Sequence, residues 1–136
     1  MSNLKHEAIT KAIIGCAFDV AKELGSGFLE SVYEQAMLLA LRQTGISVAS
    51  QHPVNVTFRG ECVGEFYADL FVEEKVIVEL KAVKVIAPEH QAQVINYLNA
   101  TGIEVGLLIN YGQPKLEFKR FTRTKKLNMD KQNGQE

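Results

Sequence analysis

The sequence predicts a mixed α/β fold, one sheet covered by helices, and three observations lead there. Apolar residues recur at helical spacing through residues 4–44, and from Val48 the pattern changes to the two-residue alternation of strands. Strand-like runs over 54–58, 62–72 and 75–85 follow one another across short turns, as in an antiparallel meander. A third helical stretch then separates them from two further strands, long enough to cross over and pair one of them in parallel.

In the first helix, over 4–23, Leu4, Ala8, Ala12, Ile13, Cys16, Ala17, Val20 and Ala21 form the stripe, followed by Leu24. Gly25 and Gly27 end it, since glycine adopts the backbone angles of a helix stop without penalty. The second helix, from about Phe28 to Thr44, has Leu29, Val32, Tyr33, Ala36 and Ala40 as its core stripe, and Gly45 closes it. Arg59-Gly60-Glu61 turns the first strand into the second. Pro88 suits the first turn of the third helix, which stops at Thr101-Gly102. A short apolar strand follows over 105–109, then a turn at 111–114 and an alternating strand over 116–121. Residues 1–123 are expected to form one domain and the polar stretch 124–136 a frayed tail.

The 136 residues, 46% hydrophobic and 23% charged, describe an ordinary soluble protein whose fold buries roughly two thirds of the extended-chain surface. Its apolar runs are too short to span a bilayer, and Met1-Ser-Asn-Leu-Lys-His-Glu7 lacks the apolar core of a signal peptide. Cys16 and Cys62 stand in no Cys/His cluster, which excludes a zinc site and suits reduced cytoplasmic thiols. The net charge of −1 does not advertise a nucleic-acid binder, but its distribution is uneven. Residues 112–136 carry seven basic and three acidic side chains, a balance of +4, so the rest of the chain holds −5. Such a stripe either touches phosphates or keeps the chain solvated, and solvation is the plainer reading.

The stretch from Asp69 to Lys81 holds charges where a core strand should be apolar. Val72, Val76, Ile77 and Val78 belong in a buried strand; Glu79 and Lys81 need partners or a metal to stay there. Two apart on a strand, Glu79 and Lys81 leave the face of Ile77, roughly 7 Å from each other. A two-residue turn at Glu73-Glu74 would set Asp69 opposite Val78, on the wrong face. An odd-length loop or a bulge near residues 73–75 brings Asp69 beside Glu79 instead. Two carboxylates and the Leu80 carbonyl then make an oxygen-rich site suited to Mg²⁺ or Mn²⁺, with Lys81 placed for a phosphate oxygen or an attacking water. Spacing alone serves a cross-strand salt bridge equally well. On the third helix His90, Gln93 and Tyr97 form a polar stripe beside Ala92, Ile95 and Leu98, able to face phosphate and bases or simply to end an amphipathic face. Glu30 falls in the first turn of the second helix, where the helix dipole favours a carboxylate without any further role.

Gly27-Phe-Leu-Glu30-Ser-Val-Tyr33, followed by Asp69, Glu79-x-Lys81 and Gln93-x-x-x-Tyr97, resembles the signature of the GxxExxY protein family within the PD-(D/E)xK nuclease superfamily. The similarity spans about residues 4–122. It implies a restriction-endonuclease-like α-β-β-β-α-β core with an extra N-terminal helix. It also implies Asp69 and Glu79 as metal ligands, Lys81 as the catalytic lysine, and Glu30 as an acid completing the metal site. Gln93 and Tyr97 would line the substrate side, in a pattern similar to the QxxxY motif of related exonucleases. Lys84 and the basic residues from Lys115 to Lys126 join them as candidate phosphate contacts. The expected activity is Mg²⁺- or Mn²⁺-dependent cleavage of DNA. The alternatives are an RNA-directed nuclease or a non-catalytic nucleic-acid- or protein-binding member of the same fold. A chain this short has little surface for reading sequence, so a homodimer or a partner protein is expected.

Overall fold

Where helical spacing gives way to alternation, the chain passes from helices to sheet. The computed structural model describes residues 4–123. Helices α1 (Glu7–Leu24) and α2 (Glu30–Gln43) precede strands β1 (Val48–Phe58), β2 (Glu61–Val72) and β3 (Val76–Lys81). Helix α3 (Pro88–Thr101) and strands β4 (Val105–Asn110) and β5 (Glu117–Thr122) follow. From α2 to β4 the order is the expected α-β-β-β-α-β, with α1 as the extra N-terminal helix. The strands lie in the order β1-β2-β3-β4-β5; β3 and β4 are parallel, joined through α3, and every other neighbouring pair is antiparallel. The expected tail over 124–136, with Lys125, Lys126 and Lys131, lies outside the described residues. No described helix is long and apolar enough to cross a membrane.

Alternation sorts the sheet into two faces. Val76, Val78 and Leu80 pack with Val105, Leu107 and Ile109 against Ile13, Ala17, Tyr33, Met37 and Leu41 of α1 and α2. Ile77 lies on the other face with Tyr97 and Leu98 of α3. The α2 stripe differs from the sequence expectation. Leu29 is the N-cap rather than a helical residue and is 77% exposed, and Val32 is exposed as well. Tyr33 is buried as expected and Ala36 and Ala40 pack beside it, but with the helix starting at Glu30 its neighbours in the core are Met37, Leu38 and Leu41.

Two hairpins set the register. Arg59 and Gly60, both at positive φ, join β1 to β2 in the two-residue turn whose twist matches the strands. Three residues, Glu73-Glu74-Lys75, join β2 to β3, because Val72 pairs with Val76. This odd-length loop is the irregularity that the Asp69–Glu79 pairing demands. Glu73 and Glu74 sit at φ 54° and 55°, a region that side chains other than glycine seldom occupy. Glu73 is pinned there from both sides: its N–H donates to Ser47 O at 2.8 Å and its Oε2 accepts from Ser47 N–H at 2.7 Å.

Strand β3 ends at Lys81, four residues before the expected Val85. The backbone beyond it has found other partners. Ala82 N–H faces Glu30 Oε2 at 3.4 Å, and Val83 donates its N–H to Asn110 Oδ1 at 2.9 Å while its carbonyl accepts from Asn110 Nδ2 at 2.8 Å.

Candidate active site

The antiparallel ladder between β2 and β3 runs from Val72↔Val76 to Leu70↔Val78, and the next rung outward belongs to Asp69 and Glu79. There the two side chains take over from the ladder. Asp69 N–H donates to Glu79 Oε2 at 2.9 Å, and Leu80 N–H donates to Asp69 Oδ2 at 2.8 Å. The strands part around a pair of carboxylates, each reaching across to the other strand's backbone. Strand β2 also turns over at this point: Ala68 packs with Ile77 and Tyr97, while Leu70 joins the cluster under α1 and α2. Opposite, Gln51 of β1 takes a φ of 53° between the Ser50↔Leu70 and His52↔Ala68 rungs. The kink admits Asp69 to the fork without breaking the register.

Burial dominates the electrostatics. Glu79 is only 3% exposed, and desolvation, followed by the charge of Asp69, pushes its pKa from 4.5 up to about 8; the Asp69 N–H and Lys81 oppose the rise. Asp69 is raised too, first by desolvation and then by Glu34 and Glu30, against the Leu80 N–H and Lys81. At neutral pH Glu79 therefore favours its protonated form, because burial disfavours the charged carboxylate and the neighbouring Asp69 charge adds to that cost. Lys81 follows on the Glu79 face, half-buried at the end of β3.

Glu30 reaches this end of the sheet from the start of α2, carried by a loop of defined shape. Gly27 sits at φ 113°, where a side chain would be strained. The Tyr33 hydroxyl ties the loop together, donating to Gly25 O at 2.6 Å and accepting from Phe28 N–H at 3.2 Å, while its ring stacks on Tyr111 with centroids 4.3 Å apart. On the far side, Asn110 and Gly112 latch the exit of β3. Asn110 is fully buried and fully engaged: besides Val83, it accepts from Gly112 N–H at 2.9 Å and donates to Glu117 Oε1 at 3.1 Å. A Cβ on Gly112 would meet the Val83 carbonyl oxygen at 2.0 Å, so only glycine allows the two backbones to touch.

On α3, Gln93 Nε2 donates to the Tyr97 hydroxyl at 3.1 Å, and Tyr97 is buried in the core of that face rather than confined to a polar stripe. His90 has a structural duty, its Nδ1 accepting from Ala87 N–H at 3.0 Å at the helix start. Lys84 is exposed, and its carbonyl accepts from the Gln113 amide. Arg120 of the basic stripe donates to the Lys5 carbonyl, and Arg123 pairs with Glu104 at 4.0 Å. Sequence reasoning passed over Glu34, whose charge reaches Asp69 and whose carboxylate accepts from Gln51 Nε2. Its spacing one turn after Glu30 was the available signal. It also passed over Asn110 and Gly112, which no local pattern marks.

No group of three or more His, Cys, Asp and Glu poised for a metal ion occurs among the described residues. The Asp69–Glu79 pair nevertheless fits a hard divalent cation. Mg²⁺ keeps most of its water and takes only one or two carboxylates from a protein. A carboxylate has two oxygens, and the backbone bonds described here use one from each. A cation would also offset the desolvation that raises both pKa values and the Asp69 charge that raises Glu79 further.

A family model described as the PD-(D/E)XK nuclease superfamily matches residues 7–121. No curated protein sequence matches. Among solved structures, an alkaline exonuclease from Laribacter hongkongensis superposes with a TM-score of 0.54 at 14% identity, covering 98% of this chain and 77% of that one. A structure named SSO0001 gives a TM-score of 0.47 at 14% identity, covering 98% and 76%. At such identities the exonuclease attests the fold alone, while the family model runs from the start of α1 into β5. On that match, the chain belongs to the PD-(D/E)XK nuclease superfamily.

Proposed function

We propose that the protein is a metal-dependent nuclease that hydrolyses phosphodiester bonds in DNA and that, within its superfamily, it belongs to the GxxExxY family. The fork carries this reading: Asp69 and Glu79 meet on one rung of a parted ladder, with Lys81 two residues further along the same face. The family assignment draws on Gly27 and Tyr33, which shape the loop that brings Glu30 to the end of β3.

Asp69 and Glu79, with the Leu80 carbonyl, would hold Mg²⁺ or Mn²⁺, and Glu30 would complete the site. When bound, such an ion neutralises charge on a phosphate and makes water a better nucleophile near neutral pH. The chain's own residues supply the rest. The Lys81 ammonium holds a non-bridging phosphate oxygen and orients the attacking water by hydrogen bonding. The Leu80 and Asp69 N–H groups fix the carboxylate rotamers, so the acids need no reorganisation when substrate arrives. Gln93 and Tyr97 bound the substrate side, with His90 and Lys84 at either end. The free thiols of Cys16 and Cys62 accord with a cytoplasmic setting, and a second copy or a partner protein would extend the small binding surface.

The absence of a three-member metal group among the described residues favours a second reading, a binding protein that keeps the fold without turnover. Incubation with single-stranded DNA, duplex DNA and RNA, in Mg²⁺, in Mn²⁺ and in chelator, separates the two. Metal-dependent DNA cleavage lost in both Glu79→Ala and Lys81→Ala supports the nuclease. Tight, salt-sensitive binding without cleavage supports the binding protein.

A further inference from the structure

Next to the acid fork a groove of about 690 Å³ runs between α3 and the β1–β2 hairpin. That volume suits a small organic group rather than a single ion. Tyr97 links the two places. It lines the groove and packs with Ala68, next to Asp69 in β2, and with Ile77, two residues before Glu79 on the same face of β3.

The lining has a definite chemistry. The Phe66 and Tyr97 rings lie 6.0 Å apart between centroids, and Phe66 is 47% exposed. Helix α3 contributes three carboxamides, Gln93, Asn96 and Asn99. Asn99 Oδ1 is buried with no hydrogen-bond partner, an acceptor at odds with the rule that buried polar atoms are satisfied. Glu89 alone among the lining residues is charged, so the groove repels phosphate rather than attracting it. An exposed Phe66 ring for stacking, amides able both to donate and to accept, and no cation together describe a receptor for a nucleobase. Bases in a duplex keep their faces stacked and their edges paired, so only an unpaired base can enter such a pocket.

We propose that this groove takes an unpaired nucleobase of the strand whose phosphate lies at the fork, so that the protein selects single-stranded over duplex nucleic acid. The inference rests on the nuclease reading for the position of the phosphate, and the groove's chemistry stands apart from it.

The test uses the full chain and labelled oligonucleotides in chelator and in Ca²⁺: a single-stranded DNA, an abasic strand of equal length and the matched duplex. Stacking of one base supports a preference of roughly tenfold for the normal strand over the abasic one, and the duplex should bind no better than the abasic strand. Phe66→Ala removes an exposed ring and Ala92→Trp fills the groove from an exposed position, so neither empties the core. Both should bring the normal-to-abasic ratio close to one and leave abasic binding unchanged, whereas a misfolded variant would lose both. Equal binding of normal and abasic strands by the unaltered protein overturns the proposal, as does a ratio that survives both substitutions. Single-strand cleavage in Mg²⁺ unaffected by either substitution overturns the groove and leaves the nuclease standing. Base-dependent binding without cleavage upholds the groove and overturns the nuclease.

Discussion

Replacing Glu79 by glutamine probes the fork most informatively, because it removes the charge and keeps the shape. In the folded chain Glu79 has a pKa of about 8, against 4.5 when unfolded. Between these values the native state binds more protons than the unfolded state, so stability is greatest below pH 4.5, falls as pH rises towards 8, and levels off above it. At 1.36 kcal/mol per pKa unit, the full fall is on the order of 5 kcal/mol, a large share of the ~5–15 kcal/mol that holds an ordinary domain together. The raised Asp69 adds a smaller fall of the same sign. Urea unfolding in chelator at pH 5, 7 and 9 measures it. The unaltered protein should lose stability across this range, and Glu79→Gln should lose much less and be the more stable of the two at pH 9. Mg²⁺ at pH 8 should restore stability to the unaltered protein and do little for the variant. A flat profile for the unaltered protein, or the same slope in both, would refute the account of the fork as two mutually repelling, desolvated acids.

Three further outcomes follow from the same geometry. Tyr33→Phe leaves Gly25 O and Phe28 N–H without their shared partner and should cost about 1–3 kcal/mol in urea unfolding; DNA cleavage should fall while its metal requirement persists, because the loop bearing Glu30 loosens. Gly112→Ala forces a methyl group against the Val83 backbone and should destabilise by about 3 kcal/mol or more, read as a drop in the thermal midpoint. Because Mg²⁺ must displace the Glu79 proton, its affinity by calorimetry should rise from pH 6 to pH 9 and depend less on pH in Glu79→Gln.

Much of this site can be read from the linear chain, and the parts that cannot share a physical reason. The charges at Glu79 and Lys81, inside an apolar run, already require partners, and the pleat dictates that Asp69 reaches them only across an odd loop, as the three residues 73–75 provide. What escapes is set by distant contacts. Leu29 and Val32 fit a helical stripe equally well, and only the helix start at Glu30 decides which side of α2 is buried. The end of β3 at Lys81 depends on Asn110, twenty-seven residues away from Val83 in sequence. The kink that admits Asp69 depends on Gln51 at positive φ, a conformation that glutamine does not advertise. Nor does any local pattern announce that the His90 Nδ1 accepts the Ala87 N–H at the helix start.

The central claim is that Asp69 and Glu79 together hold the divalent ion. Anomalous scattering from a crystal grown with Mn²⁺ at pH 8 tests it directly. The account predicts a manganese peak at the fork, in contact with both carboxylates and absent from crystals of Asp69→Ala. A fork without manganese, its acids still joined only to the backbone N–H groups of Asp69 and Leu80, would contradict it.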